Sequence, residues 1–304
     1  MLKVEVDIFS GRPNPIWYVT DSDEAKELIG LVSEASEAVA KPGAGLDGLG
    51  YREVVLSLIG DDEPRPRRLP REVAVGTLAA KDRKASIDVA QRVLKGMLRQ
   101  RDVRLLQHET TPLSESLLEY ILEQLARLPD RLPDPPPPPP PSNPLRTTVK
   151  DVKCDKCEYE VSQYNPNFWN APNVMPYNNC YNYGRNWRTD TFAQPGRAHG
   201  AQTGVMQCPN VTTAAMADGL KKRCDCLPVS EWPRRLMALV IAPNQDYHWY
   251  REQRGGFWGH KPGHTAARNV DNNHVLVVNP ETAARGPYTQ FCGYFYAGKS
   301  VVID

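Results

Sequence analysis

The chain has 304 residues, 40% hydrophobic and 24% charged, with a formal net charge of +1. That length predicts two domains, each able to bury its own core. The near-neutral balance gives no general pull toward nucleic acid or a membrane surface, and no run of about 18 apolar residues is present to cross a bilayer. The opening Met1-Leu2-Lys3-Val4-Glu5-Val6-Asp7 alternates charged and apolar residues and lacks the apolar core of a signal peptide, so a cytoplasmic location is the expectation.

The alternation Lys3–Phe9 reads as a half-buried strand, and Ser10-Gly11-Arg12-Pro13-Asn14-Pro15 as a turn before a second strand at Ile16–Val19. Asp21 or Ser22 caps a helix with Asp23 and Glu24 in its first turn and Leu28, Leu31, Val32, Ala35 and Val39 at helical spacing. The glycine-rich stretch 41–50 is a loop. Glu53–Ile59 and Glu72–Leu78 read as strands, and 86–101 and 114–128 as helices. This order predicts an antiparallel sheet with helices on one face, an α+β domain over residues 1–133. A free edge of that sheet would accept a peptide strand by backbone hydrogen bonds. The arginines Arg65, Arg67, Arg68 and Arg71 form either a solvated loop or a contact for an acidic peptide, and His108 stands alone in a polar setting.

Residues 134–144 contain seven consecutive prolines, Pro135 to Pro141. They favour an extended polyproline II spacer, about 20 Å long at roughly 3.1 Å per residue, and a docking site for a proline-binding partner is the rival reading. Composition changes across this linker. Residues 1–144 carry 19 Lys and Arg against 23 Asp and Glu, whereas all seven cysteines lie beyond it. The segment 145–304 is therefore read as a second α+β domain, mainly antiparallel, that carries the reactive side chains.

Cys154-x-x-Cys157 and Cys224-x-Cys226 offer four sulfurs in two close pairs, the donor set of a structural zinc; disulfides and free thiols are the alternatives. Cys180 follows the cap-forming Asn178-Asn179 and stands at a predicted helix start, where a thiol is activated if an imidazole lies near. Leu236–Ala242 and Tyr247–Arg251 read as a strand hairpin carrying His248, with Asp271, Asn272 or His260 to orient its ring. Cys180, His248 and Asp271 are thus the candidate catalytic set. The histidines His248, His260 and His264 are a further candidate metal set. Trp169, Trp187, Trp249, Trp258, Tyr177, Tyr181 and Tyr183 suggest an aromatic-walled cleft, in which Tyr181, Tyr183, Trp187, Trp249, Arg251, Trp258 and His260 would contact a peptide. Phe291–Tyr296 reads as a last strand with Cys292 buried.

The order cysteine at a helix start, histidine on a following strand, polar group after it resembles the NlpC/P60 and papain-like cysteine hydrolases over residues 175 to 275. That resemblance implies a peptide hydrolase or acyl transferase. Across most of the chain, Val4–Pro15, Asn179–Tyr183 with Thr189–Gly196, and His248–Arg251 with His260–Gly263 resemble the peptide-binding proteins of crocagin-type clusters, which make ribosomally synthesised, post-translationally modified peptides. This resemblance implies binding of a precursor peptide, and guidance or catalysis of its backbone heterocyclisation to a pyrroloindoline. It also implies a homologous protein or other enzymes of the same pathway as partners.

Overall fold

The computed structural model describes residues 1–59, 69–99, 110–134 and 148–304. The polyproline run, His108 and Arg65, Arg67 and Arg68 lie outside the described residues. The fold is α+β, built on antiparallel sheets. The chain divides into two units, one of residues 1–9 and 13–132, the other of residues 10–12 and 133–304.

The first unit is a four-stranded antiparallel sheet of order β2-β1-β3-β4, with β1 at Leu2–Asp7, β2 at Ile16–Val19, β3 at Glu53–Leu58 and β4 at Glu72–Val75. The period-two pattern of β1 buries Leu2, Val4 and Val6. Onto this sheet pack α1 (Ser22–Glu34), α2 (Arg83–Lys95) and α3 (Glu115–Ala126). Asp21, Asp82 and Ser114 cap the three helices by accepting backbone N–H bonds, which satisfies donors that the first turn leaves open. Val89, Val93 and Leu94 of α2 and Leu117, Ile121 and Leu125 of α3 complete the core.

A polar cluster lies at the end of this sheet where β1 stops and β3 starts. Arg52, 1% exposed, donates to both oxygens of Asp7, from Nε at 2.8 Å and from Nη2 at 2.6 Å, and Nη2 also reaches the carbonyl of Phe9. Glu53 faces Asp7 in the strand register, is buried, and accepts the Gly43 N–H at 2.7 Å. Its carboxyl is pushed up to about 7, first by burial and also by Asp7, against the Gly43 hydrogen bond and Arg52.

The second unit holds a hairpin, β5 (Thr148–Asp151) with β6 (Cys154–Glu160), and a five-stranded antiparallel sheet of order β10-β9-β8-β11-β7. Its strands are β7 (Lys221–Lys222), β8 (Arg235–Ala242), β9 (Asp246–Gln253), β10 (Phe257–His260) and β11 (Gln290–Ala297). The expected hairpin of β8 and β9 is present, with Val240 opposite His248. Both strands are buried almost throughout, as a central strand with cover on both faces requires. The short helices α4 (Asn167–Asn170), α5 (Cys180–Arg185) and α6 (Cys208–Ala217) complete the unit. Among the described residues, no helix is long and apolar enough to cross a membrane.

Three disulfides tie this unit together: Cys154–Cys224, Cys157–Cys226 and Cys208–Cys292, with Cα separations of 5.3, 5.0 and 5.2 Å. The zinc expectation for Cys154, Cys157, Cys224 and Cys226 is thereby corrected, since their sulfurs are bonded to one another and none is a thiolate. Geometry explains the outcome. Cys154 and Cys157 stand three residues apart on the extended β6, about 10 Å along a strand, whereas zinc holds each sulfur at ~2.3 Å. Among the described residues no group of three or more His, Cys, Asp or Glu is placed to hold a metal ion. Of the trio His248, His260 and His264, the first two meet, whereas His264 Nδ1 lies 2.8 Å from the Pro176 carbonyl.

Candidate functional site

Helix α5 is set by its cap. Asn179 accepts the backbone N–H groups of Tyr181 and Asn182, and the Asn182 side chain accepts the N–H of Asn179, a reciprocal capping box. The helix begins at Cys180, where the sequence places it. All six of its residues are buried.

The Cys180 thiol is 0% exposed and points at the backbone carbonyl of Tyr247, 4.0 Å away. It packs in an apolar cluster with Met237, Leu239, Tyr247 and Trp249. Burial pushes this thiol well above its ordinary value, and Asp246 adds to the shift; the Trp249 N–H and Lys261 oppose it without reversing it. A nucleophilic cysteine needs the opposite shift.

His248 does not complete the pair. Side chains alternate across a strand, so Tyr247 and Trp249 of β9 face the Cys180 cluster and His248 faces the other side. There His248 Nε2 lies 2.8 Å from His260 Nδ1, with Tyr250 and Tyr288 around it. His260 Nε2 in turn meets the Val270 carbonyl at 2.9 Å. A carbonyl only accepts, so Nε2 of His260 carries a proton; in the neutral ring Nδ1 then accepts and His248 Nε2 donates. The imidazole neighbour of His248 is therefore His260, one of the three groups considered from sequence. Asp271 has a different role: its carboxylate accepts the N–H groups of Asn273, Val275 and Ala284 and holds together the loop it stands in. The structure does not assemble Cys180, His248 and Asp271 as a set.

The expected cleft is a core. Tyr181, Tyr183, Trp249, Arg251, Trp258 and His260 are each 6% exposed or less. Trp249 packs on Tyr181 and Phe295, and Arg251 lies over the Tyr183 ring at 4.4 Å. Of the residues assigned to peptide contact, Trp187 alone is on the surface, at 44%. Aromatic content by itself does not distinguish a cleft wall from a core, because both bury large rings.

The polar heart of the unit lies around residues 10–12, whose composition predicts a turn. Asp246, 0% exposed, accepts from three successive backbone N–H groups, Ser10 at 2.6 Å, Gly11 at 3.1 Å and Arg12 at 2.9 Å, and from the Tyr288 hydroxyl at 2.6 Å. Burial raises this carboxyl even against those four donors. The Gly11 carbonyl accepts from Asn179 Nδ2 at 2.8 Å, Gln194 Nε2 at 2.9 Å and the Tyr247 hydroxyl at 3.0 Å. A Cβ on Gly11 would stand 2.5 Å from Tyr247, so this position admits only glycine without movement. Nearby, the fully buried Lys261 donates to the carbonyls of Met175, Asn178 and Gly263. All three ammonium donors are satisfied, as burial of a lysine demands. These groups are fully committed to holding the chain.

No protein-family model and no solved structure matches this chain. A curated protein does. Insoluble matrix shell protein 1 of Ruditapes philippinarum is 40% identical over 137 residues, which is 45% of this chain and 90% of that protein.

Proposed function

We infer the function from kinship and covalent chemistry together: the chain belongs to the family of insoluble matrix shell protein 1, and its role is that of a structural, non-catalytic component of an extracellular matrix. The observation that carries this reading is the set of three disulfides. Such bonds persist in oxidising compartments and are reduced in the cytosol, so the reading replaces the cytoplasmic location expected from the opening residues. The burial of Cys180 and the commitment of Asn179, Gln194, Tyr247 and Asp246 to the chain's own backbone support a role without a nucleophile. Peptide mapping of native protein, alkylated without reduction, tests it. Six protected cysteines and a sedimenting, matrix-associated pool are the expected results; six alkylated cysteines in freshly isolated protein would overturn it.

Precursor-peptide binding, which the crocagin-type resemblance implies, is the second reading. The surface rings of Phe168, Tyr177 and Trp187 favour it, with Arg188 lying 5.0 Å from the Phe168 ring, since exposed aromatic and guanidinium groups are frequent anchors of peptides. Calorimetric titration with a precursor peptide encoded beside the gene tests it, and the absence of heat and of competition removes it.

A further inference from the structure

Among the three disulfides, two form a local pair. β6 contributes Cys154 and Cys157, 8% and 2% exposed, and the segment after β7 contributes Cys224 and Cys226, both exposed. In each bond, therefore, one sulfur belongs to a buried residue and the other to an exposed one. Cys208 and Cys292 of the third bond are both only half-buried. The two segments of the pair also carry exposed Lys153, Lys156, Lys221 and Lys222, against exposed Asp155, Glu158 and Asp225.

We propose that the paired staple Cys154–Cys224 and Cys157–Cys226 is a thiol–disulfide exchange site that takes a thiolate, from a small thiol or from a protein cysteine, at the exposed Cys224 or Cys226. Exchange needs a thiolate approaching one sulfur in line with the bond, and access selects the sulfur attacked. At Cys224 the incoming sulfur forms a new bond to Cys224 Sγ while the bond to Cys154 breaks. Cys154 leaves with the electron pair and takes a proton from solvent. One disulfide is lost and one gained, so no oxidant or reductant is consumed. Cys157–Cys226, two residues away, keeps the two segments tied while its neighbour is open, so the incoming group is carried without release of the segment. Cys180 is too deeply buried to act as the internal attacker.

The test uses the oxidised full-length chain. It is incubated with reduced glutathione, quenched at intervals with a maleimide and mapped without reduction. Glutathione is expected on Cys224 or Cys226 at a rate roughly tenfold or more above that on Cys208 or Cys292. A parallel incubation uses a cysteine-containing peptide: its capture at the same positions assigns the site to protein thiols as well, and capture of glutathione alone assigns it to small thiols. Modification of Cys208 or Cys292 at an equal or greater rate, or no adduct at Cys224 and Cys226, overturns the proposal. Mapping of the untreated chain separates failure of the exchange site from failure of the matrix role. If the disulfides are present but inert, the exchange site alone fails; if they are absent, both readings fail.

Discussion

Glu53 makes a pH-dependent prediction whose sign is fixed by the structure. Its carboxyl is raised from 4.5 to about 7 in the folded chain, chiefly by burial. The folded state therefore binds a proton more tightly than the unfolded state does. The stability contributed by that proton is fully present below about pH 4.5 and is lost as pH rises through about 7. A shift of this size amounts to ~3 kcal/mol at 1.36 kcal/mol per unit. Glu53→Gln keeps an oxygen to accept the Gly43 N–H and removes the charge. The variant and the wild type should match near pH 4.5, and above pH 7 the variant should be more stable by up to ~3 kcal/mol. Native-state hydrogen exchange of peptides covering β3 reports on this unit alone, and the difference corresponds to roughly a hundredfold in protection once intrinsic exchange rates are divided out. A protection ratio that stays constant from pH 4.5 to 8, or one in which the wild type gains as pH rises, refutes the argument.

Further expectations follow from other packed sites. Gly11→Ala places a methyl group 2.5 Å from Tyr247, so it should lower the stability of the second unit by ~1–3 kcal/mol in denaturant titration; an unchanged midpoint would show that the backbone yields freely there. Arg52→Met leaves the half-buried Asp7 without its guanidinium, with the Asn14 amide still donating to it, and should cost about 1–3 kcal/mol in the first unit, whereas an unchanged stability would show that water replaces the guanidinium at no cost. Cys180 should resist iodoacetamide at pH 8 in native protein and react fully in denaturant, because burial holds the thiol protonated; rapid native labelling would contradict the described packing. Replacing Cys208 and Cys292 together by alanine opens a loop of 84 residues and should lower stability by about 4 kcal/mol, read as a shift in the unfolding midpoint.

Much of the fold was legible because it depends on local patterns. The alternation in β1, the caps at Asp21 and Ser114 and the apolar run of β8 each act within a few residues, and each element appears at or near its expected place. Helix α2 starts earlier than expected, at Arg83, because Asp82 caps it, and it ends at Lys95. The site was legible only in part. Cap chemistry located Cys180 at a helix start, but the side of β9 that faces it depends on strand register. The alternation of Tyr247 and Trp249 with His248 carried that information: two large apolar rings share one face and the histidine takes the other. The Cys154–Cys224 pairing joins residues 70 apart, and spacing cannot choose between a disulfide and a shared metal at such a distance. The role of Ser10–Arg12 was hidden for the same reason, since Asp246 lies 236 residues from Ser10 and nothing in a turn-like sequence names its acceptor.

The disulfide layout also bears on how this protein ages. The bonds Cys154–Cys224 and Cys157–Cys226 close rings of about seventy residues, and α5 with the loop after it lies inside both. A protease that cuts once between Cys157 and Cys208 releases nothing, since both fragments stay joined by two covalent bonds. A nicked chain keeps its mass until a reductant reaches it. Damage to the peptide backbone and loss of material are thus separate events in this unit, and electrophoresis with and without reductant would distinguish one from the other.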